Sequence, residues 1–302
     1  MPALSQGTGP IRILLGFADE AGYTFAQLIS ESIGNAMGRP VVIERRPGAT
    51  GRIAAEALKN APPDGSTLYL APIVVPVLAP LVFRSLSYDP VKDFTPVSQV
   101  LIFRYALAVG PQHPAKTGQE FVAWAKAHPK EASYGTAGAG SAPHFLGVMI
   151  NQATGTDLLH VPYKGAAPMQ ADLMGGQLAS GIESVTNLIE LHNAGKVRIL
   201  AISGASRSPL APSIPTFREQ GLTNTDATGW VGVFAPAGTP RGVVDRISAA
   251  IVEAVRIPGV RDRFLSLGVE PTGSTPAELA AIMAADTARW APIIKLSGFT
   301  AD

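Results

Sequence analysis

The residues best suited to chemistry cluster in Tyr134-Gly135-Thr136-Ala137-Gly138-Ala139-Gly140-Ser141-Ala142-Pro143-His144. Three glycines and two hydroxyls precede a run of helical period. A helix start leaves its first N–H groups without acceptors, so such a loop can aim backbone and side-chain donors at one anion. The chemistry on offer is binding. The segment lacks the Lys-Ser/Thr end of a P-loop, and its spacing is not that of the dinucleotide fingerprint, which disfavours a nucleotide. The same spacing also suits a tight strand-to-helix turn whose glycines only satisfy backbone geometry. The residues alone leave both open.

A second loop, Gly16-Phe17-Ala18-Asp19-Glu20-Ala21-Gly22-Tyr23-Thr24, occupies the equivalent place after the first predicted strand. Phe17 and Tyr23 offer surface to a flat or apolar ligand. Asp19 and Glu20 either reach a donor on that ligand or complement the dipole of the following helix from solvent. Val161-Pro162-Tyr163-Lys164-Gly165 ends another strand, and Glu183 with Ser184 ends the next. Arg104, between Phe103 and Tyr105, either makes a bidentate pair with a carboxylate from a hinge or pairs with Asp or Glu at the surface. Of the five histidines, only His144 adjoins a candidate site, where a hydrogen-bonded loop-to-helix role is the simplest reading.

Enzyme templates fit poorly. There is no Gly-x-Ser-x-Gly, no His-Glu-x-x-His and no carboxylate run with ligand spacing, and cysteine is absent. No catalytic residue, metal or cofactor is expected, and no disulfide. With 24 Lys+Arg against 23 Asp+Glu there is no basic stripe to neutralise phosphates, so nucleic acid is not an expected partner.

These loops must be held by elements, and the chain alternates short β-branched runs with longer helical segments. Ile11–Leu15, Tyr23–Met37 and Val41–Glu44 open the rhythm of βαβ units and a parallel sheet. Further strands are predicted at 67–70, 105–109, 158–161, 178–183, 197–203 and 230–235. Thr117 with Glu120, and Thr275 with Pro276 and Glu278, read as helix starts, and Gly195 as a helix stop. At 302 residues the chain is about twice a typical domain. Pro/Gly-rich passages at 110–114 and 235–240 predict a discontinuous first lobe of residues 1–109 and 230–302, a second lobe of 110–229, and a ligand cleft between them. The uncharged stretch Leu68–Phe83 is too short for a bilayer and carries Pro72, Pro76 and Pro80, so it reads as buried core and loop. Residues 1–10 show neither a basic n-region nor an apolar h-region, so no signal peptide is expected in this chain; a mature exported protein would look the same.

Taken in order, these segments resemble the tripartite tricarboxylate transporter solute receptors, the Bug (Bordetella uptake gene) or TctC family. The likeness runs through Pro10-Ile11-Arg12, Glu44 to Ala49, Pro63 to Leu68, Tyr88-Asp89-Pro90, Asp93-Phe94, Tyr134 to His144, His160 to Gly165, Gly175-Gly176-Gln177, Ala194-Gly195-Lys196, Pro215-Thr216 and Ala235 to Pro240. It implies an α/β, two-lobed, type II-like periplasmic binding protein, or Venus flytrap. It also implies export to the periplasm, a small organic carboxylate as ligand, and delivery to the permease subunits of a membrane transporter by a monomeric receptor. In the family the carboxylate is typically gripped by the first strand-to-helix loop and by the glycine-rich loop of the second lobe. Carried over by motif, this points to Thr136, Ala137, Gly138, Ser141 and His144, with Lys164, Gly165 and Glu183 nearby; Phe17, Ala18, Asp19, Glu20, Tyr23 and Thr24 of the first loop, and Arg104, are candidates on the reading of the residues themselves.

Two departures from the family pattern matter. Glu183 stands where relatives usually have Asp, and the first loop carries Asp19 and Glu20 where relatives tend to read Pro-Pro-Gly-Gly. Two carboxylates there would repel an anion. The expectation is therefore either that they point to solvent or that the ligand carries a donor at that end, as an amino acid or nitrogen heterocycle does. An aromatic carboxylate against Phe17 and Tyr23 fits equally. The rival functions are a ligand-sensing receptor of a signalling system and, behind it, an α/β enzyme using His144 with Glu183.

Overall fold

The computed structural model describes residues 9–16 and 20–301. In chain order the elements are β1 (Ile11–Leu15), α1 (Glu20–Met37), β2 (Val41–Arg45), α2 (Arg52–Lys59), β3 (Thr67–Pro72), α3 (Ala79–Val82), β4 (Phe94–Val109), α4 (Gly118–Ala127), β5 (Ser133–Thr136) and α5 (Ala142–Thr154). There follow β6 (Leu159–Pro162), α6 (Ala166–Met174), β7 (Ser180–Ser184), α7 (Val185–Asn193), β8 (Arg198–Ile202), β9 (Thr228–Pro236), α8 (Arg241–Ala254), α9 (Pro258–Ser266), β10 (Glu270–Pro271) and α10 (Pro276–Ser297). They divide into two compact units, one of residues 1–102 and 230–289, the other of residues 103–229 and 290–301. β4, β9 and α10 each run from one unit into the other.

In the first unit β2, β1 and β3 lie side by side and parallel, and β9 joins the far edge of β3 antiparallel. Ile11, Ile13, Leu14 and Leu15 are buried because β1 is covered on both faces. Helix α1 explains its own docking: Phe25, Ile29, Ile33 and Met37 recur every fourth residue and form one buried stripe. That stripe packs with α8, which buries Val243, Val244, Ile247 and Ile251. Beneath them the indole N–H of Trp230 donates to Asp286 at 2.7 Å, and Arg289 donates to the same carboxylate at 2.8 Å. Burial pushes the Asp286 carboxyl up, against the pull of these two donors.

The second unit holds the strands in the order β8-β4-β7-β5-β6. β7, β5 and β6 are mutually parallel, and β4 is antiparallel to both β7 and β8. The C-terminal ends of β7, β5 and β6 therefore lie together at one edge, and each leads directly into a helix: α7, α5 and α6. Tyr134, Phe121, Phe145, Ile182 and Leu188 fill the core. The segment 290–301 belongs to this unit and not to the first: Trp290 is fully buried against Phe145, and Phe299 meets His144 and Phe145 edge-on.

The predicted helix starts form as capping pairs. Thr117 Oγ1 accepts the Glu120 N–H at 3.1 Å, and Thr275 and Glu278 bond reciprocally at 3.2 and 2.7 Å. Gly195, at φ +69°, closes α7. Residues 68–83 form most of β3, a π-helical turn at Val74–Leu78 and α3, and among the described residues no helix is long and apolar enough to cross a membrane. Strand β4 begins at Phe94 rather than at the predicted 105, because 97–101 is buried continuously and shows no alternation to read.

Tightness of this core yields a test. A Cβ at Gly147 of α5 would stand 2.1 Å from the ring of buried Tyr134. Gly147→Ala is expected to lower unfolding stability by about 1–3 kcal/mol through overpacking. Urea unfolding of both forms checks it, and equal midpoints would contradict this packing.

Candidate functional site

The site is built where β5 gives way to α5. Three successive carbonyls of the glycine-rich loop are each held by a donor of the protein. Thr136 O accepts from the Tyr163 N–H at 2.9 Å, and Ala137 O from the Gly165 N–H at 3.1 Å. Gly138 O accepts two hydroxyls, Thr136 Oγ1 at 3.0 Å and Ser141 Oγ at 2.8 Å. In a trans peptide the following N–H points opposite to its carbonyl. Fixing these carbonyls therefore turns the N–H groups of Ala137, Gly138 and Ala139 away from the donors that hold them. Among the described residues no acceptor meets any of the three. Three oriented donors beside the start of a helix are an arrangement that can receive an anion.

Helix α5 begins immediately after. Ser141 is its N-cap and accepts the His144 N–H, with Pro143 in the first turn. The Gly140 N–H takes the opposite course from its predecessors and turns inward to His144 Nδ1 at 3.2 Å. Glycine is required at position 140 twice over: its φ is +73°, and a Cβ would lie 2.4 Å from the Phe299 ring. The end of the chain thus supports the loop from within its own unit.

Two histidines lie beneath the loop. The rings of His144 and His160 stack at 3.9 Å and 12°, and His160 Nε2 is 2.8 Å from Thr136 Oγ1. Thr136 has one proton, and its contact with Gly138 O requires that proton there, so His160 carries hydrogen on Nε2 and donates to Thr136. Burial lowers the His144 pKa; burial and then the neighbouring His144 lower that of His160 to about 4. Both rings are neutral at pH 7.

The other two helix starts at this edge differ. Gly165 precedes α6 and is tied to Ala137, while Lys164 beside it is exposed. Glu183 is buried at the end of β7, and its carboxylate accepts the Ser184 N–H at 2.8 Å and bonds the Ser184 and Asn187 side chains. Burial holds the Glu183 carboxyl above its usual range. The group serves the start of α7. Arg104 is also buried, and its Nη1 donates to the Ser206 carbonyl at 2.6 Å and the Ser203 carbonyl at 3.4 Å, which fixes the loop after β8.

In the first unit, Phe17, Ala18 and Asp19 lie outside the described residues. Glu20 is exposed and accepts both its bonds from Arg45 Nη2, each at 2.8 Å. The same guanidinium covers the Tyr23 ring at 4.7 Å. Thr24 Oγ1 donates to the Glu20 carbonyl. Glu20 is thereby an acid paired at the surface at the start of α1. The second unit brings together Thr136, Ala137, Gly138, Ser141, His144 and Gly165.

Sequence reasoning passed over His160 and Phe299. His160 opens the segment that runs to Gly165, but its place opposite Tyr134 follows from the β5–β6 register alone. Phe299 carries no local signal.

Residues 25–299, nearly the whole chain, match the tripartite tricarboxylate transporter family receptor, TctC. The chain belongs to this receptor family. A relative from Bordetella bronchiseptica, a UPF0065 protein, is 36% identical over 289 residues, covering 94% of this chain and 85% of its own. Among solved structures, the Rhodopseudomonas palustris protein MatC with bound malate is 30% identical with a TM-score of 0.76, over 95% of this chain and 99% of its own. An R. palustris protein with adipate is 29% identical with a TM-score of 0.81, over 97% and 99%. The fold of this TctC receptor is accordingly that of the two-lobed α/β periplasmic binding proteins, and its membership makes it a solute-binding receptor and not an enzyme.

The depressed His160 pKa gives a signed prediction. The unfolded chain takes up a proton near pH 6.5 that the folded receptor refuses until about pH 4. Stability from this group is therefore complete above pH 6.5 and is lost as pH falls toward 4. The melting temperature of the wild type should fall more steeply across that window than that of His160→Gln. Parallel curves would contradict a neutral, buried His160.

Proposed function

We propose that this protein is an extracytoplasmic receptor, periplasmic and monomeric, that binds a small organic carboxylate on the glycine-rich loop and delivers it to the permease subunits of a tripartite tricarboxylate-type transporter. The observation that carries this reading is the row of N–H groups at Ala137, Gly138 and Ala139, oriented by their neighbours and met by no acceptor of the described protein. A carboxylate presents two oxygens with about four lone-pair sites and accepts such donors without a cation. Helix α5 adds the positive end of its dipole. The malate and adipate in the two related structures are the same chemistry on the same fold.

Aliphatic and hydroxy diacids, the class of the malate and adipate in the two related structures, are the ligand class favoured by this reading.

A thermal-shift screen across dicarboxylates, amino acids and aromatic acids tests it. A ligand at about one hundred times its Kd stabilises the folded state by about 2.7 kcal/mol, which raises the melting temperature by several degrees. The expected result is such a rise with a diacid, with the compound recovered unchanged; turnover would overturn the receptor reading. Ser141→Ala removes the α5 cap and one of the two hydroxyls holding Gly138 O, and should weaken binding about tenfold, the effect of losing one charge-assisted contact's geometry. Lys130→Ala, at an exposed site, should leave affinity unchanged. Equal affinities in the two variants would remove the loop from the site.

A further inference from the structure

We propose that His160 is a positioning residue of the receptor: by donating to Thr136 Oγ1 and stacking on His144, it fixes the orientation in which the glycine-rich loop displays its N–H groups to the solute. The proposal rests on the loop being the carboxylate site.

Thr136 is fully buried, and its hydroxyl stands within hydrogen-bond distance of two groups, Gly138 O at 3.0 Å and His160 Nε2 at 2.8 Å. A hydroxyl has one proton to give. Its bond to Gly138 O uses that proton, which leaves the His160 Nε2–H to donate to Oγ1, and the carbonyl is drawn inward. The peptide plane between Gly138 and Ala139 then has one orientation, with the Ala139 N–H on the opposite side. Without a donor at position 160, Thr136 Oγ1 becomes a buried acceptor that lacks a partner, and its rotamer is no longer dictated.

A second contact works on the other end of the loop. His144 receives the Gly140 N–H on Nδ1, and its ring lies flat on His160 at 3.9 Å. Tyr134 lies against His160 at 4.9 Å between ring centroids, and its hydroxyl donates to the His144 carbonyl at 2.9 Å. Removing the His160 ring takes the support from the imidazole that turns the Gly140 N–H inward. One side chain on β6 thus governs both peptide planes that separate outward-facing donors from the inward-facing one. The donor requirement distinguishes this from packing: leucine at 160 fills space but gives no hydrogen bond, whereas glutamine places an amide N–H at about the reach of Nε2.

The experiment uses the full chain, labelled with 15N, as wild type, His160→Leu and His160→Gln, with adipate as probe. Two readings are taken: amide exchange of Gly140 without ligand, and the Kd of adipate from the amide shifts of Ala137, Gly138 and Ala139. His160→Leu should speed Gly140 exchange about tenfold and raise the Kd about tenfold, whereas His160→Gln should hold the Kd within about threefold of wild type. Leucine and glutamine behaving alike in both readings, or unchanged Gly140 exchange in His160→Leu, would overturn the proposal. If the wild-type loop amides do not move with adipate, adipate binding at the loop fails, and Gly140 exchange still decides the role of His160. Should His160→Leu not fold, Thr136→Val removes the same hydroxyl link with little change of shape, and wild-type Gly140 exchange and affinity in that variant would overturn it equally.

Discussion

The glycine-rich loop depends on one constraint: an amide plane is rigid, so whatever fixes a carbonyl also aims the next N–H. Tyr163, Gly165 and the hydroxyls of Thr136 and Ser141 fix three carbonyls in succession. The surrounding architecture supplies these donors. β6 must lie parallel beside β5 in the observed register for its following turn to reach Thr136 O and Ala137 O, and α5 must begin at Ser141 for that hydroxyl to reach Gly138. The Phe299 ring then occupies the space that a side chain at position 140 would need.

The electrostatics follow the same pattern. The histidines under the loop are neutral, Glu183 commits its carboxylate to the start of α7, and Glu20 is paired with Arg45. The Glu183 carboxylate is thereby turned to its own helix start. The loop itself offers backbone donors and a helix dipole, already oriented before a ligand arrives. Preorganised donors need little rearrangement on binding, which is how backbone groups can hold a carboxylate.

Much of this was legible in the residues. The period-four stripe of α1, the capping pairs at Thr117 and Thr275 and the glycine-rich loop itself follow from local chemistry, and the receptor family followed from motifs spread along the chain. What was not legible depends on contacts distant in sequence. His160 gains its role only when β6 pairs with β5, and Arg104 is bound to carbonyls about a hundred residues away. Arg45, the partner of Glu20, sits one strand further on and gives no sign in the loop itself. Residues 290–301 join the second unit through the aromatic contacts of Trp290 and Phe299, with no boundary signal in composition.

Whether oriented backbone N–H groups receive the solute's carboxylate is tested most directly by a crystal structure of the full chain grown with malate or adipate. A carboxylate oxygen within hydrogen-bonding distance of the Ala137, Gly138 or Ala139 nitrogens, with the Gly138 carbonyl still held by Thr136 and Ser141, is the expected result. A bound diacid whose carboxylates meet side chains only, with those three N–H groups left to water, would contradict the account.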